Sequence, residues 1–95
     1  AAHPSRVWVQ LATSPERAAM TGEWRRLSRI ADSALRGKRG YVTPWRNNFR
    51  LLTGPFDSER AAQAFLNSLN AEEVQGFVWT SAVGQVIDSL PTGSR

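Results

Sequence analysis

The stretch NFRLLTGPFDS, residues 48–58, carries the clearest fold signal in the chain. Its first six residues alternate with the period of a half-buried strand. One side of this strand carries Phe49, Leu51 and Thr53, and the other side carries Asn48, Arg50 and Leu52. Gly54-Pro55 then interrupts the strand, and Asp57 or Ser58 is suited to cap a helix. The stretch therefore predicts a strand that leads directly into a capped helix.

The helix that follows is amphipathic, and a last strand comes after it. The apolar residues Ala62, Phe65, Leu66 and Leu69 recur at helical spacing. Residues 76–80, with the sequence GFVWT, then predict a short strand.

The first half of the chain shows the same strand-then-helix order. In RVWVQLA, residues 6–12, one side is aliphatic and the other is aromatic and polar. Ser14-Pro15-Glu16 predicts a helix start, because it combines a hydroxyl cap, a first-turn proline and an early acid. One apolar stripe follows, made of Met20, Trp24, Leu27, Ala31 and Ala34. Gly37 is expected to end this helix.

Residues 41–45, YVTPW, predict a short strand between the two halves. Pro44 lacks an amide donor, which places this strand at a sheet edge. Residues 46–48 predict a turn. Near the C-terminus, Val83, Val86, Ile87 and Leu90 have helical spacing before Pro91, so a short terminal helix is expected. Residues 1–5 and 91–95 are expected to be tails around one folded domain, residues 6–90.

The order βαββαβ predicts an α+β fold of the ribonucleoprotein-like or ferredoxin-like type. In this arrangement a four-stranded antiparallel sheet carries two helices on one face. The other face is left open for a ligand.

Composition narrows the function classes. The chain has 95 residues, 41% of them hydrophobic, which suits one compact core. It has no cysteine and only one histidine, His3, so no metal cluster, catalytic triad or cofactor is expected. No carboxylate pair is placed for hydrolysis, and an enzyme is therefore the least expected function.

The net charge of +4 rests on arginine, with Lys38 as the only lysine. An anionic polymer is a reasonable partner, with a merely solvated positive face as the alternative.

Two segments resemble the SPOR (sporulation-related repeat) family. SPOR domains typically carry an aromatic-Val-Gln-Val-Gly-Ser-Phe strand before the first helix and an Arg-Val-x-x-Gly-Pro-Phe strand before the second. The counterparts are WVQLAT at residues 8–13 and RLLTGPF at residues 50–56. The resemblance covers about residues 6–80. Ala12 stands where glycine is usual, no phenylalanine follows Thr13, and the stretch before Tyr41 is longer than the family norm.

The resemblance implies binding of peptidoglycan glycan strands, especially strands stripped of stem peptides at division septa. It also implies a periplasmic or cell-envelope location, and it leaves open whether the parent protein carries a membrane anchor or other domains. Neither nucleic acid nor direct membrane contact of this segment is expected. The implied binding-face residues are Gln10, Thr13, Asn48, Arg50, Leu52 and Val78. A register shift of one residue would place Trp79 in the position of Val78.

The chemistry of this face suits a sugar. Trp8 offers a flat surface for a pyranose ring, with Trp45 as a further aromatic surface near Asn48. Gln10 offers amide donors and a carbonyl acceptor. Arg50 can fork onto the lactyl carboxylate of N-acetylmuramic acid, which removal of the stem peptide leaves free. The alternative for Arg50 is an ion pair with Asp57 or Glu59.

Two other functions remain open. An RNA-binding module has the same fold outline, although the signature of an RNA recognition motif is missing around residues 49–56. A protein-interaction domain would use Tyr41, Trp45 or the open sheet as its contact patch. Trp24 and Trp79 are expected in the core, as is usual for a tryptophan in regular structure.

Overall fold

The computed structural model describes residues 5–90, so the predicted C-terminal tail and residues 1–4 of the N-terminal tail lie outside it. Residues 5–90 fold into three helices and one antiparallel sheet, which confirms the α+β class. In chain order the elements are β1 (Val7–Ser14), α1 (Ala19–Ile30), α2 (Asp32–Leu35), β2 (Gly40–Trp45), β3 (Asn48–Phe56), α3 (Glu59–Ala71), β4 (Phe77–Thr80) and β5 (Asp88–Ser89). No helix among residues 5–90 has the length and hydrophobicity needed to cross a membrane.

The sheet has the strand order β4-β1-β3-β2-β5, and all neighbours are antiparallel. The first four strands keep the order that a βαββαβ chain predicts. The expected number of four strands is wrong, because β5 adds a fifth at the outer side of β2. The predicted edge position of β2 is wrong for the same reason, because β2 lies between β3 and β5. However, β5 pairs only with Tyr41 and Val42, so Pro44 has no partner strand on its outer side and its missing N–H costs no ladder bond.

The helices pack on one face of the sheet, as predicted. The central aliphatic residues of three strands, Val9, Val42 and Leu51, are fully buried there in a core cluster that includes residues of all three helices. The expected stripes of α1 and α3 are buried or packed against the same cluster. Burial of this aliphatic layer is the main stabilising contribution to the fold.

An irregularity in β1 changes which side chains reach the core. The pairing with β3 shifts between Gln10 and Ala12, so Leu11 and Ala12 both contact the core cluster. Such a bulge lets one extra residue enter a strand. As a result, Thr13 pairs with Arg50 and returns to the opposite face.

The two predicted helix starts have different outcomes. Ser58 caps α3 as expected, because its Oγ accepts the backbone N–H of Ala61 at 3.0 Å. Ser14 accepts the N–H of Glu16 at 3.0 Å, but α1 begins only at Ala19. The long first helix is also interrupted at Ala31, where φ is −110° and ψ is 55°, and α2 continues the stripe as a separate turn.

The predicted terminal helix is wrong. Residues 81–87, which we call the strap, lead from β4 at one edge of the sheet to β5 at the other. At its start, Ser81 is held by Arg6, whose carbonyl accepts its backbone N–H at 2.8 Å. At its end, the Val86 carbonyl accepts the Thr43 hydroxyl at 2.7 Å. After the strap, Leu90 enters the core and donates its N–H to the Gly40 carbonyl at 2.9 Å.

Candidate functional site

The register of the strands defines the face opposite the helices. Directly paired residues of antiparallel strands place their side chains on the same side of a sheet. The pairs Trp8 with Trp79, Gln10 with Leu52 and Thr43 with Arg50 therefore share this face. Its side chains are those of Trp8, Gln10, Thr13, Tyr41, Thr43, Trp45, Asn48, Arg50, Leu52, Phe77 and Trp79. Seven of the eight predicted site residues lie here.

The eighth, Val78, is a wrong prediction. Val78 pairs with Val9 and packs against the core on the helix side. Because side chains alternate along a strand, Phe77 and Trp79 take the opposite face. The expectation that Trp79 belongs to the core is wrong for the same reason, whereas Trp24 does pack against the core as expected.

Trp8 lies on the expected face but is not exposed to solvent, so its prediction as a flat sugar-binding surface is wrong. Only 4% of its surface is exposed. Its Nε1 donates to the Ser81 hydroxyl at 3.2 Å, and its ring packs edge-on against Tyr41 with centroids 5.1 Å apart. The start of the strap and the Tyr41 ring therefore enclose this indole.

Gln10 and Leu52 are also enclosed, with 7% and 0% of their surfaces exposed. Neither side chain presents a free surface to a ligand. The Gln10 Oε1 accepts a hydrogen bond from Nη1 of Arg50. Gln10 thus positions the guanidinium group of Arg50 instead of offering its amide to solvent.

Arg50 lies between two indole rings. Its guanidinium carbon is 4.5 Å from the centroid of Trp45 and 5.1 Å from that of Trp79. The centroids of the two rings are 6.4 Å apart, and the ring planes are nearly perpendicular. Cation–π attraction to both rings orients the guanidinium group. We call these three residues the indole clamp.

The clamp forms the accessible part of the face. Trp45 is 38% exposed, Trp79 and Arg50 are half-buried, and Phe77 beside Gln10 is 50% exposed. Thr13 and Asn48, both predicted site residues, are exposed at its rim. Sequence reasoning missed Phe77 and misplaced Trp79. A register shift of one residue exchanges the side chains that face the core with those that face the open side of the sheet, and the sequence did not fix this register.

The positive charge of Arg50 has no acidic partner within residues 5–90. The ion pairs there are Arg17–Asp88, Arg26–Glu23 and Arg36–Asp32, so the alternative pairing of Arg50 with Asp57 or Glu59 is contradicted. Partial burial lowers the pKa of the Arg50 guanidinium from its ordinary value. An arginine nevertheless stays protonated in water, so the clamp keeps its charge.

The hydrogen atoms of this guanidinium indicate how it can bind. Its Nε is buried and donates to no acceptor among residues 5–90, while Nη1 already donates to Gln10. The Nη2 group and the second Nη1 hydrogen remain for an incoming anion. Two neighbouring donors of this kind suit a carboxylate, and the indole rings beside them suit the apolar faces of sugar rings.

The strap is hydrogen-bonded to β2 next to the clamp residue Trp45. Gln85 donates from Nε2 to the Thr43 hydroxyl oxygen at 2.6 Å and to the Pro44 carbonyl at 3.2 Å. Thr43 in turn pairs directly with Arg50 across β2 and β3. No group of three or more His, Cys, Asp or Glu side chains suited to a metal ion occurs among residues 5–90.

Comparison with known proteins identifies the family. Residues 4–80 match the family model described as the SPOR domain, which is most of the chain. Neither the curated proteins nor the solved structures gave a significant match. The chain belongs to the SPOR domain family, a family of peptidoglycan-binding domains.

Proposed function

We propose that this domain is a non-catalytic module that binds peptidoglycan glycan strands stripped of their stem peptides. Through this binding it would bring its parent protein to the septal cell wall, in the periplasm or cell envelope. The observation that carries the proposal is the indole clamp, a cation with no acidic partner among residues 5–90, held between two partly exposed aromatic rings.

The preference for stripped strands follows from charge. In intact peptidoglycan the lactyl group of N-acetylmuramic acid is joined to the stem peptide through an amide. Cleavage by an amidase leaves a carboxylate at that position. Arg50 would form a charge-assisted hydrogen-bonded pair with this carboxylate, which is stronger than its contact with a neutral amide.

The rings of Trp45 and Trp79 would contact the sugars on either side of this carboxylate. Pyranose rings have weakly apolar faces, and an exposed indole offers a flat partner at low entropic cost. Thr13 and Asn48 would add hydrogen bonds at the rim.

The test is co-sedimentation with intact and with amidase-treated sacculi, for the wild type and for Arg50→Ala. The wild type should pellet preferentially with treated sacculi. Loss of a hydrogen-bonded charged group costs about 1.5–3 kcal/mol, so Arg50→Ala should weaken binding to treated sacculi roughly 10- to 100-fold and remove the preference.

Arg60→Ala is the matched control, because Arg60 is exposed on α3, away from the clamp. Arg50→Lys adds a second variant that retains the charge but not the fork, and it should recover only part of the binding. Unchanged binding of a folded Arg50→Ala protein would show that the clamp does not bind the carboxylate.

A further inference from the structure

The strap lies beyond residues 4–80, the part of the chain that matches the family model, yet it hydrogen-bonds to Thr43, the cross-strand partner of Arg50. Its glutamine, Gln85, is half-buried, and its side-chain orientation is fixed by hydrogen bonding. The Thr43 hydroxyl donates its only hydrogen to the Val86 carbonyl. The Thr43 oxygen can therefore only accept from Gln85.

The Pro44 carbonyl is an acceptor as well. Both partners of the Gln85 amide thus require its nitrogen, and both hydrogens of that nitrogen are used. The amide oxygen, Oε1, must point away from them, and it accepts no hydrogen bond from residues 5–90. The strap therefore presents one oriented, unoccupied acceptor.

Gln85 is linked to Arg50 through one residue, Thr43. Thr43, which anchors Gln85, is the direct cross-strand partner of Arg50. The Cβ atoms of such partners are about 4.5–5.5 Å apart. Arg50 and the Gln85 amide are therefore both neighbours of Thr43, at the same end of the face.

We propose that Gln85 is a ligand-contacting residue that selects N-acetylmuramic acid, an inference that rests on the proposed function. This sugar carries its lactyl carboxylate and its acetamido N–H on neighbouring ring carbons, so an anion and a hydrogen-bond donor lie side by side. Arg50 would take the carboxylate while Gln85 Oε1 accepts the N–H. A sugar with only one of these two groups would satisfy only one of the two residues.

The experiment is calorimetric titration with a peptide-free oligosaccharide of alternating N-acetylglucosamine and N-acetylmuramic acid. Gln85→Leu removes the acceptor and should weaken binding roughly three- to tenfold, the usual range for one neutral hydrogen bond. In an Arg50→Ala background, where the sugar is no longer held beside the strap, the same substitution should have less than half of that effect on the logarithm of Kd. Gln63→Leu, on the exposed side of α3, should leave Kd unchanged.

A nuclear magnetic resonance titration of the wild type tests the contact without any substitution. The side-chain amide signals of Gln85 should shift when the oligosaccharide is added, and those of Gln63 should not. If Arg50→Ala weakens binding but Gln85→Leu does not, or if the two effects simply add, the role of Gln85 is wrong and the proposed function stands. If the wild type does not bind the oligosaccharide or the sacculi, both proposals are wrong.

Discussion

Two tryptophans on the same face of the sheet have opposite roles. Trp8 is 4% exposed and hydrogen-bonds to Ser81, whereas Trp45 is 38% exposed and contacts Arg50. An alternating strand pattern places a side chain on a face, but it does not show what covers that face. For this reason the sequence alone favoured Trp8 as the sugar platform, while the geometry favours Trp45 and Trp79.

Because of this difference, we expect Trp8 to contribute to the stability of the fold and Trp45 to contribute to ligand binding. Trp8→Ala should lower the free energy of unfolding by about 3–5 kcal/mol, the cost of emptying a buried aromatic site. Trp45→Ala should change it by about 1 kcal/mol or less and should weaken sacculus binding instead. Urea denaturation followed by circular dichroism measures the first effect, and co-sedimentation measures the second.

Trp8→Phe provides an intermediate variant that keeps a six-membered aromatic ring and removes the pyrrole part of the indole, with its N–H bond to Ser81. Its expected cost is about 1–3 kcal/mol, since the buried hydroxyl of Ser81 loses a partner. If Trp8→Ala left stability unchanged and abolished binding, Trp8 would be a ligand residue after all.

At the scale of elements, the strap is the largest departure from the prediction. Val83, Val86, Ile87 and Leu90 have helical spacing, but this segment gains its contacts from distant partners, Arg6 and Thr43. Gly84 has a φ of +87°, a backbone conformation that a helix does not contain. Val83 is 81% exposed, so the apolar pattern does not mark a buried stripe here.

The core anchor of this segment can be tested with two substitutions. Leu90→Ala should lower the free energy of unfolding by about 2–4 kcal/mol, because Leu90 is buried in the main core cluster. Val83→Ala should change it by less than about 0.5 kcal/mol. Urea denaturation of both variants measures the difference, and equal stabilities would show that Leu90, which follows the strap, does not anchor this segment in the core.

The remaining elements were predictable because local signals and global packing agree. The alternating strand over residues 49–53, the Ser58 cap and the stripe of α3 each follow from residue types at fixed spacing. The predicted stop at Gly54-Pro55 is wrong, because β3 continues to Phe56, which pairs with Val7. The site was only partly predictable. Burial of Gln10 and the exchange of Val78 for Trp79 depend on cross-strand register and on the strap, which are long-range properties.

At the scale of the whole molecule, the sheet separates stability from recognition. Its helix side holds the aliphatic core, and its other side holds the indole clamp and the strap. The net charge of +4 is therefore not concentrated at the proposed binding face, where Arg50 is the cation in the clamp. Arg46 is a second cation beside the clamp, with its guanidinium carbon 5.8 Å from the centroid of Trp45. Arginines farther from the clamp act on a ligand only through long-range attraction, which salt screens.

Salt dependence therefore distinguishes a glycan from an RNA ligand. A single carboxylate contact should give a shallow dependence, with binding to the peptide-free oligosaccharide falling no more than about tenfold between 50 and 500 mM salt. A single-stranded RNA held through several phosphates should lose affinity with a slope of about −0.7 for each phosphate neutralised. Calorimetry with the oligosaccharide and fluorescence anisotropy with a labelled single-stranded RNA, over the same salt series, measure the two slopes. Tight RNA binding that persists at 150 mM salt, together with no measurable binding of the oligosaccharide, would favour the RNA-binding alternative, because the indole clamp would then stack bases instead of sugars.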